Sequence, residues 1–378
     1  MGFRRLALIF ALPLALGACS SLKFWGKSTP EGMAELKPLV SPLNLEFAWH
    51  GSVGKNQDRL LQAAIVGDSV IAAGADGEIT RFEDGKRVWR VDARKNLTAG
   101  IGAGDNLVVV AARNTVLAFD VKTGAALWKT DLVGEVSARP LVDGDQVYLR
   151  VGDSRIVSLA SSDGRQRWSY QRTTPPLSLR TFNELRRMDA YLFGGFSGGR
   201  LVAISTNSGQ LVWEGSVALP RGATELERMA DVVGAPVAQG KLLCAASFQG
   251  RVTCFDVTRG AAVWGRDLST SVGIDADSSQ VFATDERGVV HALDIETGAS
   301  LWKQEGLVLR GTGRPLVLED HIVVGDAEGW IHVLDKKDGR IVGRIKTDGS
   351  AIQAPLERTG DGLIALTRDG GLFSLKLR

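Results

Sequence analysis

The sequence is poor in the residues that most enzymes and metal proteins rely on. Of 378 residues, three are cysteine and four are histidine: His50, His291, His321 and His332. No H-x-H, HExxH or C-x-x-C spacing occurs, so neither a metal centre nor a metal cofactor is expected. Carboxylates are plentiful, as a turn-rich chain requires, but no catalytic pair stands out among them. The one glycine-rich run, Gly194 to Gly199, joins two apolar strands. It lacks the following helix N-terminus that would hold a phosphate, and it reads as a hairpin turn. Charge is close to balanced, 45 Lys and Arg against 43 Asp and Glu for a net +2, and no basic stripe interleaves with aromatics. Nucleic acid is therefore not an expected partner. Proline-rich and charged low-complexity runs are missing too. The apolar run Leu6 to Leu16 is too short to cross a bilayer as a permanent helix.

What the chain does have is a phrase that repeats. Val116-Leu117-Ala118-Phe119-Asp120 alternates as a strand, turns through Gly124 and closes on a second strand at Trp128. The phrase returns with Gly164 and Trp168, Gly209 and Trp213, Gly260 and Trp264, and Gly298 and Trp302. It returns again with Gly339, where Gly343 stands in the Trp position, and a shorter-looped copy runs through Gly85 to Trp89. A repeat of about 40 residues built of short strands signals a propeller blade rather than a helical solenoid.

The two ends of the chain complement each other. Gly371 to Leu375 supplies a first strand without a Trp strand, and Leu45 to Trp49 a Trp strand without a first strand. Joined, they form one more blade and leave no open sheet edge between first and last. The expected fold is all-β: an eight-bladed propeller over residues 45–378, of four-stranded antiparallel blades, closed by pairing of the N- and C-terminal strands. Each repeat Trp is read as core, docked between blades, where a ring buries on the order of 200 Å².

Residues 1–18 read as a signal peptide, with Arg4 and Arg5 before the apolar run. Leu16-Gly17-Ala18-Cys19 resembles a bacterial lipobox, which implies cleavage before Cys19 and its lipidation; the bland alternative is an ordinary signal peptide with a chance cysteine. Ser20, rather than Asp, follows the cysteine, which in lipoproteins points to the outer membrane and its periplasmic face. Residues 19–44, with Pro30, Pro38 and Pro42, read as lipidated Cys and tether. Cys244 and Cys254 lie on two arms of a hairpin turning at Phe248-Gln249-Gly250. The periplasm permits a disulfide, but two buried thiols are the preferred reading.

The repeat is broken in one region. The spacings from Trp168 to Trp213 and from Trp213 to Trp264 are the longest, and the extra residues follow the Trp in both. Links from the last strand of one blade to the first of the next all emerge on one face, so the two insertions should lie side by side. Insertions on one face of a repeat protein often form its binding surface. The first holds Thr173-Thr174-Pro175-Pro176-Leu177-Ser178-Leu179-Arg180, with apolar anchors beside an Arg, which is interface chemistry. The second holds Glu225-Leu226-Glu227-Arg228-Met229-Ala230-Asp231, long enough for one helical turn.

The phrase Asp120-x-x-Thr123-Gly124-x-x-x-Trp128, matched at Asp294 to Trp302, resembles the repeats of pyrroloquinoline-quinone (PQQ) dehydrogenases. With the lipobox and eight blades, the whole chain resembles the propeller lipoproteins of the outer-membrane β-barrel assembly (BAM) machinery. That resemblance implies a scaffold and not an enzyme, without cofactor. Its implied partners are the POTRA domains of BamA, the other BAM subunits and unfolded outer-membrane proteins. Leu177, Leu179 and Arg180 match the family's Leu-Ser-Leu-Arg loop, and Asp231 matches the first acidic residue of its second loop; Val233 departs from the second acidic position. The alternative is a PQQ-dependent oxidoreductase. Such enzymes call for a Ca²⁺ site, a catalytic Asp and often a disulfide of adjacent cysteines, and no Cys-Cys pair occurs here.

Overall fold

A computed structural model describes residues 32–39, 43–56, 61–104, 106–152, 154–173, 175, 177–178 and 183–377. Among these the regular elements are all strands, thirty-two of them, grouped in eight antiparallel four-stranded sheets. Blade 1 is β2 (Ala64–Val66), β3 (Ser69–Ala73), β4 (Glu78–Glu83) and β5 (Lys86–Asp92). Blade 2 is β6 (Ala99–Ala103), β7 (Leu107–Ala112), β8 (Thr115–Asp120) and β9 (Ala126–Asp131). Blade 3 is β10 (Leu141–Asp143), β11 (Gln146–Val151), β12 (Arg155–Ala160) and β13 (Gln166–Gln171). Blade 4 is β14 (Leu185–Met188), β15 (Tyr191–Phe196), β16 (Arg200–Ser205) and β17 (Leu211–Ser216). Blade 5 is β18 (Val232–Gln239), β19 (Leu242–Ser247), β20 (Arg251–Asp256) and β21 (Ala261–Asp267). Blade 6 is β22 (Ile274–Ala276), β23 (Gln280–Thr284), β24 (Val290–Asp294) and β25 (Ser300–Gln304). Blade 7 is β26 (Leu316–Leu318), β27 (His321–Gly325), β28 (Trp330–Asp335) and β29 (Ile341–Lys346). Blade 8 is β30 (Glu357–Arg358), β31 (Leu363–Leu366), β32 (Gly371–Leu377) and, from the other end of the chain, β1 (Leu45–Ser52). β1 pairs with β32 from Leu45 opposite Leu377 to Ser52 opposite Gly371, closing the ring as the two incomplete repeats require.

The spacing of Gly and Trp has a physical cause that lies between blades. Six Trp on fourth strands, in blades 1 to 6, donate the indole N–H to the turn between the third and fourth strands of the next blade. The acceptors are the carbonyls of Val121 for Trp89 (3.0 Å), Ser161 for Trp128 (2.8 Å) and Thr206 for Trp168 (2.8 Å). Trp213, Trp264 and Trp302 bond Gly260 (2.8 Å), Ile295 (2.7 Å) and Lys336 (2.9 Å) in the same way. The turn glycine of that next blade lies against the ring. A Cβ on Gly164 would come within 2.5 Å of Trp128, and one on Gly339 within 2.4 Å of Trp302. The turn itself is fixed by its aspartate: Asp120 accepts from the amides of Lys122 and Thr123 and from the Thr123 hydroxyl. Gly and Trp thus stand four apart in sequence because each blade carries one half of two successive latches.

Gly343 is the exception that the same geometry explains. The next blade's third and fourth strands, β32 and β1, are the two ends of the chain, so no turn joins them and no carbonyl waits for an indole. The entering chain fills the space: a Cβ on Gly343 would meet Leu45 Cδ1 at 3.0 Å and Leu43 Cβ at 3.4 Å, and Leu43 N–H donates to Val342 O at 2.7 Å. The segment before β1 continues along blade 7. Ala34 N–H bonds Val308 O (2.9 Å), Arg344 Nη2 bonds Lys37 O (2.7 Å), and Leu36 joins the apolar cluster containing Trp302, Leu307 and Leu334.

Bonds between blades that are not neighbours cross the axis of the ring. Arg139, just before β10 in blade 3, donates to Glu357 in blade 8 at 2.5 Å and to Gln62, before β2, at 3.3 Å. Gln62 donates in turn to Glu184, before β14 in blade 4, at 2.6 Å. Only first strands lie close enough to the axis to make such bonds, so these four side chains tie blades 1, 3, 4 and 8 through the centre.

Cys244 and Cys254 face each other directly across β19 and β20, with Cα atoms 4.0 Å apart, and form a disulfide. This corrects the expectation of two free thiols: an in-register cross-strand pair places the two sulfurs in bonding contact. Cys19, the signal segment 1–18 and Trp25 lie outside the described residues.

Candidate functional site

Strands alternate in direction across a blade, which sorts the connections onto two faces. The links between blades and the turns between second and third strands share one face, the loop face. The other two sets of turns share the opposite, turn face. Both insertions, residues 172–184 between blades 3 and 4 and 217–231 between blades 4 and 5, are on the loop face.

The two meet at the β15–β16 turn. Pro175 of the first insertion lies 3.5 Å from where a Cβ of Gly198 would be. Gly198 N–H donates to Asp231 Oδ1 at 3.3 Å, from the end of the second insertion. The carbonyl of Asp231 accepts from Phe248 N–H at 2.8 Å, which adds the β19–β20 turn of blade 5. The amide of Gln249, with its nitrogen turned toward them, reaches the carbonyls of Leu226 and Met229. Met229 is buried and pins the insertion down.

Within the second insertion, Thr224 and Glu227 cap a single turn. Glu227 accepts from the amides of Ala223 (2.7 Å) and Thr224 (3.1 Å), and Thr224 Oγ1 accepts from Glu227 N–H (3.2 Å). This is the reciprocal arrangement of a capping box. Those bonds to the charged form, the Thr224 amide first, hold the Glu227 carboxyl below the usual range. Arg228 N–H to Thr224 O (3.1 Å) completes one α-type turn, the length expected for this stretch.

That scaffold leaves apolar side chains in solvent. Leu226 is 60% exposed at the tip of the capped turn, Leu219 59% at the start of the same insertion, and Leu177 41% in the first. Exposed Arg221 and Arg228 flank them, Arg228 with Glu225 at 3.7 Å. A cleft of about 280 Å³ opens beside Leu219, lined also by Val217, Arg221, Gln249, Arg251 and Asp267. A second, apolar cleft of about 270 Å³, between Tyr191, Phe193, Val212, Trp213, Phe255 and Val257, shares no residue with the insertions. Asp189 and Gly260 at its edge place it on the turn face.

The site residues expected from sequence thus fall at different levels. Leu177 is on the surface. Asp231 is 1% exposed, beneath it, where it joins the two insertions. Leu179 and Arg180 lie outside the described residues. Leu219 was not singled out, although Leu219-Pro220-Arg221 repeats the sense of the first insertion, an apolar residue beside a proline with an Arg close by. Arg150 had no signal in sequence: it is fully buried under this region, its guanidinium 4.0 Å from the Phe196 ring centroid and bonded to Gly195 O.

Two of the four histidines are structural. His291 Nε2 pairs with Asp285 (3.0 Å) and His332 Nε2 with Asp326 (3.1 Å), the same repeat slot in blades 6 and 7. Burial pushes the His332 imidazole below its ordinary value and keeps it neutral. Among the described residues no three His, Cys, Asp or Glu side chains are grouped as a metal would need.

Comparison with known proteins agrees with this architecture. The family model described as "Outer membrane protein assembly factor BamB" matches residues 75–304 and 286–376. The protein of that name from Burkholderia pseudomallei is 37% identical over 371 residues, covering 97% of this chain and 96% of the relative. The one from Bordetella pertussis is 35% identical over 367 residues, covering 96% and 94%. The crystal structure of BamB from Moraxella catarrhalis superposes with a TM-score of 0.83 at 29% identity, over 88% of this chain and all of that one. On this likeness, which runs through every blade, the chain belongs to the outer membrane protein assembly factor BamB family.

Proposed function

We propose that this chain is a non-enzymatic scaffold of the BAM complex, which docks the POTRA domains of BamA on its loop face and so assists folding and insertion of outer-membrane β-barrels. The observation that carries the reading is the joined pair of insertions presenting Leu177, Leu219 and Leu226 to solvent. Exposed apolar groups rimmed by arginine are what a protein partner buries. Leu179 and Arg180 are assigned to the same contact by the family's loop pattern. Asp231 acts by holding the two insertions together from beneath. Unfolded outer-membrane proteins and other BAM subunits are further ligands on this reading.

The anchoring proposal accompanies it. Residues 1–18 are removed, Cys19 is lipidated, residues 19–44 lead from the lipid to the propeller of 45–378, and the protein sits on the periplasmic side of the outer membrane. Acyl chains contribute about 0.8 kcal/mol per buried CH₂, so several chains hold a soluble ring firmly.

A quinoprotein reaction does not fit these residues. Its disulfide of adjacent cysteines has no counterpart: the one here spans ten positions within blade 5. The axial carboxylates Glu184 and Glu357 are taken up by Gln62 and Arg139. The test of the scaffold reading is co-purification of BamA with the double variant Leu179→Asp, Arg180→Glu. Loss of BamA from a ring that still melts cooperatively supports the site; undiminished recovery removes it.

A further inference from the structure

The six latches are not all alike. Five indoles bond the carbonyl one residue beyond the third strand of the next blade: Val121, Ser161, Thr206, Ile295 and Lys336. Trp213 passes over that residue, Val257, and bonds Gly260 O three residues further on. Its ring is turned to match. In the other five latches a Cβ on the turn glycine would meet the six-membered ring at Cε3, whereas one on Gly260 would meet Nε1 of Trp213, at 3.1 Å. In blades 3 and 6 the indole packs on an aromatic of its own blade, Tyr148 with Trp168 and Phe282 with Trp302, with 5.9 Å between centroids in each pair. Blade 4 has Phe193 at that position, yet Trp213 packs edge-on against Phe255 of blade 5 at 5.2 Å. Gly215 permits this, because a Cβ there would meet Trp213 Cη2 at 2.3 Å and Phe255 at 2.8 Å. The other five latched tryptophans have a side chain two residues on: Val91, Thr130, Tyr170, Arg266 and Gln304.

The turned indole leaves behind it the apolar cleft of about 270 Å³ between blades 4 and 5, with Phe193, Ala203, Leu243 and Phe255 as its floor. Its mouth is apolar too, with Tyr191 42%, Val212 53% and Val257 40% exposed. The Val257 carbonyl, the counterpart of the five that take an indole N–H, accepts no hydrogen bond among the described residues. Exposed Asp189 stands at the edge and makes no ion pair among them, the nearby Arg187 being paired with Asp143.

We propose that this cleft is a docking site for a tryptophan side chain carried on a segment of another protein, with a basic residue beside it. The ring itself supplies the template, since five indoles fill the corresponding space between other blades with the N–H on the corresponding carbonyl. There is room for one: a cavity of roughly 150 Å³ takes a benzene ring, and an indole is one fused ring larger. Apolar burial holds the guest, and its N–H on Val257 O orients it. A leucine in the same place would leave that carbonyl without a donor. The Asp189 carboxylate selects a basic over an acidic neighbour. The cleft is on the turn face and shares no residue with the insertions, so it works independently of docking on the loop face.

Calorimetric titration of the full chain with an acetylated, amidated peptide, Lys-Trp-Lys flanked by serines, tests this. Saturable binding is expected, weakened about tenfold when leucine replaces the tryptophan or glutamate replaces the lysines. Gly215→Thr gives blade 4 the residue that blade 2 has at Thr130 and should drive the Trp213 indole back into the cleft. This variant is expected to melt no lower than the parent and to bind the peptide at least about tenfold more weakly. Val212→Lys changes only the exposed rim and should weaken the peptide about tenfold as well, which carries the test if Gly215→Thr does not fold. Val133→Asp, 83% exposed on a loop-face link, should bind the peptide like the parent. The proposal is overturned by an absence of saturable binding or by equal affinity for the tryptophan and leucine peptides or for the lysine and glutamate ones. Parent-like affinity in Val212→Lys or in a folded Gly215→Thr overturns it too, as does a loss at Val133.

Discussion

Gly164 in blade 3 lies on the indole of Trp128 in blade 2, with room for a hydrogen and not for a methyl group. Its φ of 71° is one that other residues adopt only with strain. The two residues therefore test one latch from both sides. Trp128→Ala should cost about 3 kcal/mol, the low end for a large aromatic because the ring is only part-buried. Gly164→Ala should cost a similar amount, about 2–3 kcal/mol, through contact and backbone strain together. Urea unfolding of each variant and of the pair measures this. The double variant should cost less than the sum, since either change alone opens the same contact.

Gly343 predicts the opposite. Six other blades carry a latched Trp at this position, yet Gly343→Trp should destabilise by about 1–3 kcal/mol. The ring would have to displace Leu43 and Leu45, with no turn in blade 8 to accept its N–H. A stabilised variant would show that the segment before β1 is not what replaces the indole.

The disulfide within blade 5 closes a short loop. With its partners ten positions apart in sequence, the chain-entropy estimate for Cys244→Ser with Cys254→Ser is a loss of about 2–3 kcal/mol. Denatured, unreduced protein should take up no thiol reagent at either position; labelling of both would restore the free-thiol reading.

Acid stability follows from the turn aspartates. Asp256 is held down to about 2 chiefly by the Thr258 hydroxyl, and Asp120 and Asp294 are lowered by Thr123 and Thr297. A depressed carboxyl contributes stability above its unfolded value of 3.8 and loses it as pH falls toward the folded value. His332, held neutral by burial, acts with the same sign at higher pH: protonation of the unfolded chain below 6.5 draws the equilibrium away from the fold. Melting temperature should therefore fall gently below 6.5 and steeply between about 4 and 2. Asp256→Asn should flatten the lower limb.

The propeller was legible in the sequence because its signals are local. The alternation of Val116 to Phe119, the turn at Gly124 and the strand at Trp128 sit within thirteen residues, and the latch forces the same phrase on every blade that has a successor turn. Ring closure was legible for the same reason, as two incomplete phrases. The side-by-side placement of the insertions followed from strand direction alone. What could not be read depends on distance in sequence or on depth. Arg139 meets Glu357 across 218 positions. Arg310 reaches back 276 to Ala34, in the segment before β1. Asp231 and Leu226 sit five apart in one charged stretch, and only packing decides that the first is buried and the second is in solvent.

Calorimetric titration of the ring with the POTRA domains of BamA tests the central claim most directly. Leu177→Asp together with Leu226→Asp places two charges among the exposed apolar groups of the loop face, while Val88→Asp, on the outer wall of blade 1, changes an equally exposed residue far from it. The account predicts that the double variant weakens binding by about a hundredfold, a loss of two contact anchors, and that Val88→Asp binds like the parent. Parent-like affinity in the double variant, or a loss at Val88 of the same size, would contradict it.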